Sequence, residues 1–128
     1  MDAILEQFLM EARDNLAYLD KHLEELKDGD EETINALFRA AHTLKGGAGL
    51  VGAIPVKELT HSAEDLLDAY RQGKIEFSEE MLENLYDAFD EVIEMIDAMD
   101  EIGGVEIDVD NERIEHLKQS VRGLIENK

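Results

Sequence analysis

The chain has 128 residues, a length that predicts a single domain over residues 1–128. Its 12 basic and 32 acidic residues give a formal net charge of −20, which argues against nucleic acid or anionic membranes as partners and favours a monomer. Because the chain has no cysteine, no long apolar run and no basic segment leading into one, we exclude disulfides and sulfur-ligated metals and expect a cytoplasmic protein.

Two long helices are predicted in the first half of the chain. Apolar residues recur at every third or fourth position and predict a helix over residues 2–27, which ends near Gly29. Asp30 is a suitable N-cap for a second helix over residues 31–52. The spacing excludes the alternation that a half-buried strand would need.

Two further helices follow in the second half. Pro55 is well placed to begin a third helix over residues 55–72, which Gly73 ends. Ser78 is the expected N-cap of a fourth helix over residues 79–102. Short connections between four long helices favour antiparallel neighbours.

The carboxyl-terminal segment predicts an addition to this core. Residues 105–109 alternate like a strand but have no partner strand, so we expect an extended connector. An accessory helix follows over residues 111–126, capped by Asp110 or Asn111. The predicted fold is all-α: an antiparallel up-down four-helix bundle with an additional fifth, C-terminal helix.

The second predicted helix contains a segment that stability alone would not select. Residues 42–52 include four glycines, each costing about 0.5–1 kcal/mol relative to alanine in a helix. Helical geometry places Lys45, Gly46 and Gly49 on the same stripe as His42, which would let another macromolecule bring its backbone close to the imidazole. The residues alone leave two interpretations open: a nucleophilic histidine beside a cation, or an ordinary surface histidine at a frayed helix end.

A family resemblance favours the first interpretation. Residues 38–52, FRAAHTLKGGAGLVG, resemble the signature of histidine phosphotransfer domains, and most closely the amino-terminal phosphotransfer domains of chemotaxis histidine kinases. Residues 60–65, THSAED, resemble the His-x-x-Glu of the following helix in that family. The resemblance covers roughly residues 1–100, and the remaining helix is a variable addition in the family.

The resemblance implies a role for each matched residue. It makes His42 the phosphorylated nucleophile and Glu64 the hydrogen-bonding partner that orients its ring. It implies that Lys45 stabilises the phosphoryl group and that His61 completes a polar network around the ring. It also implies that the surface facing partner proteins includes Arg39, Gly46 and Gly49.

The same resemblance implies the function of a phosphoryl carrier in a bacterial two-component chemotaxis pathway. His42 would be phosphorylated by the ATP-binding histidine kinase domain of the same or a partner chain. It would then pass the phosphoryl group to an aspartate in the receiver domain of a CheY-like or CheB-like response regulator. Since the chain has no phosphate-binding loop of the Gly-x-x-x-x-Gly-Lys-Ser/Thr type, we expect no cofactor or metal in this domain, with ATP and Mg²⁺ supplied by the partner domains.

Three alternatives remain at this stage. The chain could be a free-standing phosphotransfer protein of a multistep phosphorelay, or a non-catalytic helical adaptor. A metal-binding bundle is the third, because residues 58–61 fit one Glu-x-x-His element, although a di-iron site needs two. His22 and His116 match no motif, so we expect them to be surface residues.

Overall fold

The computed structural model describes residues 1–126, and all of its regular secondary structure is helical. The elements are α1 (Ala3–His22), a 3₁₀ helix (Leu23–Asp28), α2 (Glu31–Val51), α3 (Ile54–Arg71), α4 (Glu79–Ile102) and α5 (Asn111–Glu126). Helices α1 to α4 form a ring in which each packs against its two neighbours, and α5 packs on α3 and α4. The predicted antiparallel bundle with a fifth helix is therefore confirmed.

The helix ends follow the capping residues that the sequence predicts. Side chains of Asp30, Ser78 and Asp110 accept hydrogen bonds of 3.0–3.1 Å from backbone N–H groups three residues on, at the starts of α2, α4 and α5. Helices α2 and α4 end where Gly52 and Gly103 adopt left-handed backbone angles, with φ of 79° and 70°. These local rules set the boundaries to within one residue.

The prediction of one continuous first helix over residues 2–27 is wrong beyond His22, because the chain tightens there into the 3₁₀ helix. Leu23 and Leu26 are both fully buried. They lie three residues apart, and a 3₁₀ helix has three residues per turn, so this geometry points both leucines at the core. The hydroxyl of Tyr70 donates a 2.7 Å hydrogen bond to the carbonyl of Leu26, which ties the segment to α3.

The predicted connector over residues 105–109 has no regular secondary structure and begins with a bend at Val105. Val105, Ile107 and Val109 are half-buried and pack against the core, so the alternating pattern serves packing rather than sheet formation. This path carries the chain to α5, which buries Ile114 and Leu117. Within residues 1–126, no helix is both long and apolar enough to cross a membrane.

Candidate functional site

His42 lies on α2 with one ring nitrogen held and the other open. Its side chain is 62% exposed, and Nδ1 lies 2.5 Å from Oε2 of Glu64 on α3. An ionised carboxylate can only accept, so Nδ1 is the nitrogen that donates the proton. The neutral imidazole then keeps its free lone pair on Nε2.

The Glu64 carboxylate is buried, with 5% of the residue exposed, so it is not the solvated surface acid that an acidic chain would suggest. Nζ of Lys45 donates a 2.5 Å hydrogen bond to Oε1, while Oε2 faces His42. Burial raises the pKa of Glu64, but the hydrogen bonds and charges of Lys45 and His42 together lower that pKa below its ordinary 4.5. Glu64 is therefore ionised at neutral pH.

The α2–α3 hairpin explains why His42 and Glu64 meet. Only Gly52 and Ala53 separate the two helices, so they run antiparallel as immediate neighbours. His42 lies ten residues before Gly52 and Glu64 eleven after Ala53. Since each helical residue rises about 1.5 Å, the two side chains lie at nearly equal distances from the turn.

The four glycines that follow His42 on α2 and at its end occupy different environments, so different structural reasons explain them. A Cβ on Gly47 would lie 2.9 Å from the ring of Phe8, so this glycine allows α1 and α2 to pack closely. Gly52 is required by its left-handed backbone. A Cβ on Gly46 would meet nothing within 4 Å, and one on Gly49 only the flexible chain of Lys57 at 3.5 Å. Packing therefore explains neither Gly46 nor Gly49, both of which are exposed.

Two side chains near His42 were missed by the sequence analysis. The ring of Phe38 lies nearly parallel to the imidazole, with the planes 13° apart and the centroids 6.1 Å apart. The guanidinium carbon of Arg71 lies 3.9 Å from the centroid of Phe38. The i, i+4 spacing of Phe38 and His42 is a signal that could have identified the first contact, whereas nothing in the sequence marks Arg71.

The stretch of chain that carries His42 differs in charge from α4. No acidic residue occurs from Thr33 to Lys57, whereas ten of the 24 residues of α4 are acidic. The same 25-residue stretch contains Arg39, which is exposed, and Lys45. Acidic side chains beside His42 therefore come from other elements, as Glu64 of α3 does.

The structure does not bring His61 into the network around His42. His61 is exposed, and its Nε2 lies 3.5 Å from Oδ1 of Asp65 on the same helix. No hydrogen bond joins His61 to His42 or Glu64 in the described part of the chain. Atoms of His61, Glu64 and Asp65 that could bind a metal ion lie within 4.8 Å of one another. Both carboxylate oxygens of Glu64, however, already accept hydrogen bonds from Lys45 and His42.

The two remaining histidines lie away from this cluster. His116 is exposed on α5, as expected, whereas His22 at the end of α1 is only partly exposed. Nδ1 of His22 bonds Oε2 of Glu25.

Comparison with known proteins assigns the fold to a family. The model of the Hpt domain family matches residues 3–102, which include His42, Lys45 and Glu64. The chain belongs to the Hpt domain family. The match ends at the last residue of α4, so α5 lies outside the family's common bundle.

Sequence relatives of this Hpt domain are chemotaxis proteins. It is 36% identical over 111 residues to chemotaxis protein CheA of Halobacterium salinarum, covering 85% of this chain and 17% of the relative. It is 34% identical over 125 residues to chemotaxis protein CheA of Rhizobium meliloti, covering 96% of this chain and 16% of the relative. The chain thus spans about a sixth of the length of these relatives.

Two solved structures share the whole architecture. The solution structure of the histidine phosphotransfer domain of CheA superposes with a TM-score of 0.83 at 31% identity, covering 96% of this chain and 92% of that one. The second is the crystal structure of the phosphorylated P1 domain of CheA3 in complex with CheY6 from R. sphaeroides. It gives a TM-score of 0.84 at 26% identity, covering 99% of this chain and 98% of that one.

Proposed function

We propose that this Hpt domain carries a phosphoryl group on Nε2 of His42 in chemotaxis signalling. A histidine kinase catalytic domain of the same or a partner chain is the donor, and an aspartate of a response-regulator receiver domain is the acceptor. The observation that carries this proposal is an exposed imidazole whose other nitrogen is held by a buried, ionised carboxylate. The CheA3 P1 domain, similar in structure, is phosphorylated and bound to CheY6, which supports the same chemistry here.

In the first step, the Nε2 lone pair of His42 attacks the γ-phosphorus of ATP, and the bond to the β-phosphate oxygen breaks to release ADP. Nδ1 keeps its proton, so the phosphorylated ring gains a positive charge that Glu64 stabilises through the existing hydrogen bond. No proton needs to leave the ring. We assign ATP and Mg²⁺ to the partner domains.

In the second step, a receiver-domain aspartate oxygen attacks the same phosphorus, and the bond from phosphorus to Nε2 breaks. His42 returns to its neutral form with the proton still on Nδ1. Lys45 lies one helical turn from His42, and we propose that its ammonium offsets the charge of the phosphoryl oxygens. Glu64 holds that ammonium at 2.5 Å.

Partner proteins have an open approach to Nε2 along α2. Gly46 and Gly49 present no side chain that would hinder a second backbone, and Arg39 is exposed on the same helix. A groove of about 270 Å³ beside Gly47 is bordered by Ile4 and Leu50, which are 67% and 81% exposed. Exposed apolar residues at this groove between α1 and α2 support a protein partner rather than a small substrate.

Incubation with γ-³²P-labelled ATP and a chemotaxis histidine kinase catalytic domain tests the proposal. We expect label that survives base and is lost in acid, and that moves to a CheY-like or CheB-like receiver domain when one is added with Mg²⁺. Label that is stable in acid, or no label with a series of such catalytic domains, would contradict the proposal.

A further inference from the structure

We propose that Arg71 is a positioning residue for His42 and acts through Phe38. The guanidinium holds the phenyl ring in place, and the phenyl ring limits the orientations of the imidazole. The inference rests on the proposed function of His42. Glu64 contacts the His42 ring directly, and Lys45 contacts Glu64. Arg71 would be a third residue that orders the ring.

Arg71 is itself held in place. It is the last residue of α3, and its Nε and Nη2 donate to Oδ1 of Asp68 at 3.2 and 2.6 Å. Nε2 of Gln72 donates to the other carboxylate oxygen at 2.8 Å. Burial raises the pKa of Asp68, but the hydrogen bonds from Arg71 and Gln72 lower it overall, so the carboxylate stays charged. A guanidinium fixed in this way has already lost much of its rotamer freedom.

Phe38 connects this fixed cation to the nucleophile. The guanidinium carbon lies 3.9 Å from the ring centroid, within the range of a cation–π contact. Phe38 precedes His42 by one helical turn, and the two rings are nearly parallel. The hydrogen bond to Glu64 holds His42 only at Nδ1, so the phenyl ring restricts the ring motion that this single bond leaves free.

The rest of the chain provides a matched control for Arg71. Arg13 on α1 is also paired with acidic side chains, with Nη1 and Nη2 at 2.7 and 3.1 Å from Asp97 and Asp100. Its side chain is 44% exposed and that of Arg71 35%. Among the described residues, the one cation–π contact is that of Arg71 on Phe38. Arg13→Ala therefore removes a comparable ion pair without touching the His42 site.

The kinetic test compares phosphorylation rates by a histidine kinase catalytic domain. We expect Arg71→Ala to slow labelling about two- to fivefold, the factor that corresponds to one cation–π contact at an exposed site. Arg71→Lys should recover part of the rate because it keeps a cation over the ring, whereas Arg71→Gln should not. Arg13→Ala should label at the wild-type rate. A wild-type rate in Arg71→Ala would overturn the proposal.

A double-mutant cycle separates action through Phe38 from a direct effect of charge. If Arg71 acts through the ring, Phe38→Leu should slow labelling at least as much as Arg71→Ala, and the double variant should be no slower than Phe38→Leu. Rates that multiply independently would overturn the pathway through Phe38.

Nuclear magnetic resonance of the unphosphorylated domain gives a readout that does not depend on any kinase. The ring current of Phe38 should shift the carbon-bound protons of His42, and this shift should decrease in Arg71→Ala but not in Arg13→Ala. An unchanged shift in a folded Arg71→Ala domain would overturn the positioning role. If wild type itself is never labelled, the proposed function fails, while this spectrum still decides whether Arg71 orders the ring.

Discussion

Two histidines of this chain share the same local arrangement and differ in everything around it. His42 and His22 each follow an aromatic residue by one helical turn, with ring centroids 6.1 Å from Phe38 and 4.4 Å from Tyr18. In each pair, Nδ1 of the histidine bonds Oε2 of a glutamate. A histidine–glutamate hydrogen bond therefore does not by itself define a phosphorylation site.

The difference lies in the partner carboxylate and in access to the ring. Glu25 lies three residues after His22 on the same stretch of chain, with its side chain 46% exposed, and the His22 side chain is only 27% exposed. The Glu64 side chain comes from another helix, is 7% exposed and also binds Lys45, while His42 is 62% exposed. His42 thus combines an exposed ring with a buried partner, whereas His22 has a partly covered ring with an exposed partner.

The largest expected effect comes from removing each histidine in turn. We expect His42→Gln to abolish labelling by a histidine kinase catalytic domain, because within residues 1–126 no other histidine pairs an exposed ring with a buried carboxylate. His22→Gln should be labelled like wild type. Comparison of acid-labile label in the two variants checks this; residual label of normal intensity in His42→Gln would break the distinction between the two sites.

Removing each glutamate tests whether the buried partner matters more than the hydrogen bond. We expect Glu64→Gln to slow labelling of His42 by about ten- to a hundredfold, since a hydrogen bond to a charged group contributes about 1.5–3 kcal/mol. Glu25→Gln should leave the rate unchanged. Single-turnover rates measure both variants, and circular dichroism verifies their folds. Equal rates for Glu64→Gln and wild type would remove the orienting role.

The ionisation of Glu64 predicts how the stability of the fold depends on pH. Because the pKa of Glu64 is lowered below 4.5 in the folded state, its carboxylate stabilises the fold above that value, and this contribution is lost as the pH falls through the lowered pKa. Urea unfolding of wild type and Glu64→Gln should thus give curves that differ at pH 7 and converge below pH 4.5. A constant difference down to acid pH would contradict an ionised Glu64.

Asp90 on α4 is a control because its pKa is shifted in the opposite direction from that of Glu64. Burial and the charges of Asp20, Asp87 and Glu94 raise its pKa, so the ionised group destabilises the fold at neutral pH. Asp90→Asn should raise the free energy of unfolding at pH 7, and the gain should vanish as the pH falls. Loss of stability at pH 7 would contradict this assignment.

The smallest effects concern the open surface beside His42. Gly46→Ala should stabilise the fold by about 0.5–1 kcal/mol, because the added methyl group meets nothing and alanine favours the helix. Gly47→Ala should destabilise it by about 1 kcal/mol or more, because the methyl group collides with Phe8. Thermal unfolding measures both changes. If Gly46→Ala labels normally but transfers to the receiver domain more slowly, the glycine serves partner access.

Much of the fold follows from local rules that a sequence displays. Capping residues predicted the starts of α2 and α4 because those interactions span only a few positions. The 3₁₀ helix was missed because the burial of both Leu23 and Leu26 depends on contacts with the rest of the bundle. Contacts between distant parts of the chain do not show in the spacing of neighbouring residues.

The candidate site divides in the same way. His42, Lys45 and Glu64 were predicted from motifs, and counting from the short α2–α3 turn could have paired His42 with Glu64. Motif matching also included His61, which pairs with Asp65 instead. Arg71 was not found because a cation–π contact between helices has no sequence spacing of its own.

The most direct test of the account identifies which nitrogen of His42 carries the phosphoryl group. Heteronuclear magnetic resonance of the ¹⁵N-labelled domain, before and after phosphorylation, distinguishes the two ring nitrogens. We predict a neutral ring protonated at Nδ1 before the reaction, and phosphorus bonded to Nε2 with the Nδ1 proton retained afterwards. Phosphorus on Nδ1, or on any nitrogen of His22, would contradict the account.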